Sequence, residues 1–175
     1  MMLRILLLLG LSFSAYADSG RIGADFLEFY DKFMQEARAH NVEVVDNSLT
    51  IKFGKTPSKE EPKRQAYCSV GGGYPPVIVV DPDIWAQKTY MDHVVVIFHE
   101  MGHCLLHRPH RDDEATNDFE LSLMHATQVP GERYQEYENY YNNELFAKDF
   151  KGVEPPTEWF IPYPKNCQTI GHPNR

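Results

Sequence analysis

The chain has 175 residues, with 25 Asp and Glu against 17 Lys and Arg and a formal charge of −8. That length favours one domain and is enough for a real core. An acidic balance argues against nucleic acid or an anionic membrane as partner, because both select basic patches.

Residues 1–17 read as a cleavable signal peptide. Arg4 is the positive start, Ile5 to Leu9 with Leu11 and Phe13 form the apolar run, and Ala15-Tyr16-Ala17 is the cleavage signal. The apolar run is too short for an ordinary transmembrane helix. No Cys follows it to carry a lipid, so no stable membrane anchor is expected. Residues 18–175 are then one exported domain, secreted or periplasmic. Export implies an oxidising compartment, in which disulfides persist. There are three cysteines, Cys68, Cys104 and Cys167, an odd number that leaves at least one outside any internal pair. Cys68–Cys104 would pin a strand to a helix and is the preferred pairing. Cys68–Cys167 is second, and three unbonded thiols are the remaining alternative.

Residues 25–39 predict an amphipathic helix, because Phe26, Phe29, Tyr30, Phe33 and Ala37 recur at helical spacing. Asp25 and Glu28 suggest a capping box at its start. Val42 and Val44 alternate with polar residues and suggest a strand. Leu49, Ile51 and Phe53 suggest another after the Asp46-Asn47 turn. Residues 54–63 are polar and read as an exposed loop. Ala66 to Val70 is a third candidate strand, and Gly71 to Pro76 reads as a turn or loop. Val77 to Val80 is a continuous apolar run that belongs inside a sheet. Asp81-Pro82-Asp83 opens a short turn or helix that places Trp85, and both Asp81 and Trp85 are assigned to the fold.

A central helix is predicted over residues 92 to about 107, with Asp92 as N-cap and Pro109 as its stop. Its apolar residues cover most of the circumference, so it should be largely buried. Residues 109–131 look irregular, and residues 132–149 predict a second long helix. From about residue 152 a Pro-rich tail is expected to wrap the surface without regular structure.

The central helix carries His99-Glu100-Met101-Gly102-His103, an H-E-x-x-H sequence. Residues i and i+4 share a helix face, so two imidazoles can converge on one ion at Zn–N distances of about 2.0–2.1 Å. Glu100 then lies beside the ion without binding it and can act as base toward a metal-activated water. Two His and one Glu in an apolar helix need partners, since unpaired burial is costly. Gly102 suggests the close approach of another backbone. His107 continues the row but lies about 12 Å of helix rise from His99, too far to share its ion. His110, after Pro109, is preferred as third ligand over Asp112, Asp113 or Glu114, because three-His sites with an open fourth position are a known catalytic arrangement. Tyr134, Tyr137 and His125 are candidate donors to a developing oxyanion, although each residue type is more often packing.

With His110 and the later Ser122-Leu123-Met124, this sequence resembles the metzincin-type zinc peptidases. It is most similar to small bacterial exported metallopeptidases with an H-E-x-G-H-C-L-L run and a later Ser-(Ile/Leu)-Met. The likeness covers residues 64 to 125. It implies zinc at His99, His103 and His110, Glu100 as base, and Met124 as the methionine of a tight turn beneath the metal. It departs from the pattern in two places. Leu106 stands where metzincins have Gly, and Pro109 takes the usual place of the third His, which comes one position later.

The expected fold is α+β and zincin-like: a small twisted sheet on the H-E-x-x-H helix, with further helices near each end. The expected function is hydrolysis of peptide bonds in a peptide or protein substrate, with Zn2+ as cofactor. The alternatives are a non-catalytic exported zinc-binding or interaction protein, and a zinc amide hydrolase acting on cell-wall material.

Overall fold

The computed structural model describes residues 21–46, 48–56, 64–115, 119–149 and 152–160. The proposed signal peptide, most of the 54–63 loop and Cys167 lie outside the described residues. The architecture is α+β. Helix α1 (Leu27–Ala39) precedes strand β1 (Thr50–Phe53), and strands β2 (Ala66–Gly71) and β3 (Tyr74–Val80) form a hairpin. Helix α2 (Pro82–Trp85) leads to the long helix α3 (Tyr90–Leu106). Helices α4 (Gly131–Glu136) and α5 (Glu138–Phe146) follow an irregular segment.

The sheet has the order β1-β3-β2. β1 runs parallel to β3 and β2 antiparallel to it. The apolar run Val77–Val80 is therefore central, as its composition requires. Gly71 pairs with Tyr74, so the hairpin turns on Gly72-Gly73 alone. Their φ values of 64° and 75° are those of a two-residue turn that L side chains resist. The predicted 71–76 turn is thus shorter, and Tyr74 to Pro76 belong to β3. Pro75 and Pro76 are tolerated because β1 begins only opposite Val77.

Val42 and Val44 are not a strand. Asn41 takes a left-handed φ of 56° and ends α1, with the amides of Asn41 and Val42 turning back to Arg38 and Ala37. No neighbouring strand lies beside this segment among the described residues. The proposed Asp25–Glu28 box is also absent, since the 24–26 turn and α1 have no side-chain cap.

Helix α3 starts two residues earlier than expected. Thr89 is its N-cap and Asp92 is the third helical residue of a reciprocal capping box. The other carboxylate oxygen of Asp92 accepts the Gly131 amide at 2.9 Å. A Cβ on Gly131 would lie 2.5 Å from the Asp92 nitrogen, so only Gly lets α4 start this close to α3. Val94 to Phe98, Met101, Cys104 and Leu105 are buried against the sheet, α1 and α5. Phe33, Phe98 and Phe146 interlock with ring centroids 5.0–6.4 Å apart.

The second long helix breaks at Tyr137, whose φ of −118° and ψ of 30° are not helical. Its ring meets Trp159 at 4.9 Å. The tail is not merely a surface wrap: Thr157–Phe160 forms a 3-10 turn, and Trp159 is 1% exposed among Phe119, Tyr137, Tyr140 and Tyr141.

Cys68 and Cys104 form the preferred disulfide, joining β2 to α3 across a separation of 36 residues. Cross-linking a loop of that length removes chain entropy from the unfolded state. Replacing both residues by Ala should lower unfolding free energy by about 3–4 kcal/mol. Denaturant titration checks this, and a loss below about 1 kcal/mol would show that the bond contributes little to stability.

Candidate metal centre

His99 and His103 lie one turn apart on α3, with Nε2 atoms 3.1 Å apart. The orientation of each ring is fixed from outside. Nδ1 of His99 donates to the Leu123 carbonyl at 2.7 Å, and Nδ1 of His103 donates to the Arg108 carbonyl at 2.6 Å. A carbonyl can only accept, so each Nδ1 carries the proton and each Nε2 presents a lone pair.

The chain reverses just after the helix. It ends at His107, before Pro109, because His107 adopts φ 54° and ψ 34°. The amides of His107 and Arg108 both turn back to the Gly102 carbonyl. The reversal brings His110 over the helix face, its ring centroid 5.3 Å from that of His99 and 4.8 Å from that of His103. His107 itself is exposed at the bend and lies outside the three-His cluster.

One ligand atom from each of His99, His103 and His110 lies within 4.8 Å of the others. Two nitrogens bound to one ion at 2.0–2.1 Å must lie within about 4.2 Å of each other. The His99–His103 pair already meets this limit. The exposed His110 needs only a small side-chain adjustment. These three residues could hold a metal ion.

The acidic alternatives are occupied elsewhere. Asp112 accepts the Ala126 amide at 2.7 Å, Asp113 pairs with Arg111 at 2.9 Å, and Glu114 lies 3.5 Å from Nε2 of His125. Tyr134 is buried and bonds Asn142, while Tyr137 packs on Trp159, so neither reaches the site. His125 does line the same cleft, with Nδ1 accepting the Thr127 amide at 3.0 Å.

That cleft has a volume of about 1020 Å³. Its floor holds His99, Glu100 and His103, and one wall is β2 from Ala66 to Cys68. Glu100 is 8% exposed and accepts the Cys68 amide. Burial pushes its carboxyl up to about 7, against the opposing pull of that amide and of Arg64. Burial also pushes His99 down to about 4, the neighbouring histidines adding to the effect, and lowers His103 for the same first reason. Neutral imidazole is the form that binds a metal.

The close approach expected at Gly102 is made by side chains, not by a strand. A Cβ there would lie 2.5 Å from the Met124 sulfur and 3.3 Å from Leu145. Met124 thus sits directly beneath the helix turn that joins the two histidines. The role of Cys68 as amide donor to Glu100 was invisible in the sequence, since any residue type supplies an amide.

No family model, no curated protein and no solved structure matches this chain.

In metal-free protein, folding raises the Glu100 pKa from 4.5 to about 7. The folded state therefore holds the extra proton between those values, and Glu100 costs stability as pH rises through that window. Glu100→Gln should gain on the wild type from pH 4.5 to 7 by up to about 3 kcal/mol, then level off. Denaturation of chelator-treated protein across pH measures this, and a gap independent of pH would refute the raised pKa.

Proposed function

We propose that this protein is an exported zinc peptidase of the metzincin-like, zincin type. The observation that carries the reading is the convergence of His99, His103 and His110 beside the buried carboxylate of Glu100, on the floor of an open cleft. Structural zinc sites are usually closed by four protein ligands, whereas three histidines leave a position for chemistry.

The departures from the metzincin pattern are consistent with it. In that pattern the third histidine follows the turn glycine by three residues. Here the left-handed residue is His107, and His110 follows it by three. The turn and the histidine have moved together by one position, and their spacing is kept. His is among the residues that accept left-handed geometry without glycine. Met124 beneath Gly102 supports the tight-turn assignment.

A peptide fits the cleft wall. β2 is an edge strand, since the order β1-β3-β2 places no described strand beyond it. The Gln65 carbonyl is taken by Asp81 on the β3 side. Strand alternation then turns the backbone groups of Ala66 and Cys68 to the open edge, where Cys68 already meets Glu100. An extended substrate chain can add to such an edge. The Cys68–Cys104 bond supports an oxidising compartment and hence export.

A zinc ion held by the three imidazoles would polarise a carbonyl and acidify water. Glu100 takes the proton of the attacking water and returns it to the leaving amine. The Cys68 amide holds the carboxylate in place, and burial raises its proton affinity, which favours return of the proton. The fixed Nδ1 bonds keep both helix imidazoles in one tautomer throughout.

Turnover of an unbiased peptide library should be abolished by chelator and restored by zinc. Glu100→Gln should lower kcat/KM by about 10²–10⁴-fold while zinc content stays at that of the wild type. His103→Ala should lose both. Full turnover by the Glu100 variant would overturn the mechanism, and activity on cell-wall amides alone would move the assignment to that substrate.

A further inference from the structure

The site depends on a turn that no metal ligand belongs to. Residues Ser122 to Met124 are fully buried, and Leu123 supplies the carbonyl that accepts the His99 Nδ1 proton at 2.7 Å. Each residue of that turn is held from outside. The Met124 amide donates to Ser122 Oγ at 2.9 Å, and the Met124 carbonyl accepts the Arg111 amide at 2.9 Å. Ser122 Oγ in turn donates to Oε1 of Glu144 at 2.8 Å. Burial raises the Glu144 carboxyl to about 7, against the opposing pull of Ser122, Arg111 and the Leu123 amide.

Glu144 is an unexpected residue in this place. It lies on α5 at 0% exposure, between Tyr141, Leu145 and Phe146 of the core. A buried carboxylate is expensive unless paired. Arg111, 8% exposed, reaches its Oε1 at 3.3 Å and also holds Asp113. An apolar residue there would pack without that cost. What Glu144 contributes is direction: its Oε1 fixes the Ser122 hydroxyl, which in turn holds the Met124 amide. Leu123, held between Ser122 and Met124, presents its carbonyl to His99.

We propose that Glu144 is a positioning residue of the site. Through Ser122 and the turn that its hydroxyl closes, it holds the Leu123 carbonyl on Nδ1 of His99, and so sets the tautomer in which His99 offers Nε2 to a cation. This deepens the metal-centre reading and rests on it only for its consequence, zinc affinity. The tautomer itself is a property of the protein alone. Outer partners of this kind are worth about 10–100-fold in metal affinity.

The test uses the full chain with ¹⁵N-labelled histidine. Nitrogen–proton correlation spectra without metal report each imidazole tautomer, and competition with a chelator reports zinc affinity. The wild type should show His99 protonated at Nδ1. Ser122→Ala cuts the relay while leaving Glu144 and Arg111 paired, and Glu144→Ala removes its origin. Both should give His99 a mixed tautomer and weaken zinc binding by about 10–100-fold. Glu144→Gln, which keeps an acceptor for Ser122, should recover most of both. Tyr141→Phe removes an unrelated buried bond to the Glu120 carbonyl and should change neither readout at a comparable loss of stability. If Glu144→Ala fails to fold, Ser122→Ala still decides. An unchanged His99 tautomer and wild-type zinc affinity in Ser122→Ala would make Glu144 a purely structural residue and end the proposal. If wild type takes up no zinc but the tautomer still shifts in the variants, the positioning role stands and the peptidase reading falls.

Discussion

Two imidazoles on one helix face converge only if something outside the helix turns them. Here two backbone carbonyls do so, Leu123 for His99 and Arg108 for His103. Each bond fixes a ring plane and a tautomer in one contact. The two carbonyls come from two irregular segments, and so the site depends on loops held as firmly as the helix. The Arg108 carbonyl is placed by the left-handed turn at His107. The Arg108 guanidinium in turn bonds the Leu145 and Ala147 carbonyls at the end of α5. The Leu123 carbonyl is placed by a buried turn under the same helix. Met124, pressed against Gly102, brings the two arrangements into contact from below.

The electrostatics follow from placing polar groups in an apolar helix. Burial favours neutral His99 and His103 and favours a protonated Glu100. Without a cation the site is thus poised nearly uncharged, which is the least costly state for a buried cluster. A divalent ion held by the three histidines would reverse one half of this and use the other. Such an ion would find lone pairs already free of protons, and its field would favour the ionised form of the adjacent carboxylate. The same burial that penalises the charge of Glu100 therefore prepares the imidazoles.

The parts legible in the sequence are those set by local periodicity. The i, i+4 spacing of His99 and His103 needs only a helix, and the apolar run Val94–Phe98 declares one. Val77–Val80 declares a central strand in the same way. The third histidine was harder, because its position depends on one φ angle at His107 that no residue type at that place demands. His110 over the acidic residues was a choice of chemistry; the structure brings His110 beside His99 and His103, while Asp112 and Asp113 have partners of their own. The break at Tyr137 and the burial of Trp159 are one event between distant segments. Periodicity along 132–149 contains no sign of it. Asp92 looked like a helix cap from its type and place. Thr89, three residues earlier, has the better geometry, and Asp92 serves both the cap and α4. Glu144 carries no signal in the sequence, because a single charge on an amphipathic helix is ordinarily solvated, and only the fold brings the buried Ser122 against it.

The edge strand raises a mechanical question that the disulfide answers. A strand that offers its backbone to an incoming chain has ladder bonds on one side only, and edges are the least constrained part of a sheet. Yet Cys68 on that edge also faces Glu100, and on the proposed peptidase reading it would have to hold that carboxylate steady for proton transfer. The covalent link from Cys68 to Cys104 leaves the outer edge open and still ties the strand to the helix beside His103. A second strand would have given similar rigidity but would have filled the edge. On the proposed reading, a cross-link in place of a further strand would let the cleft wall be both firm and available.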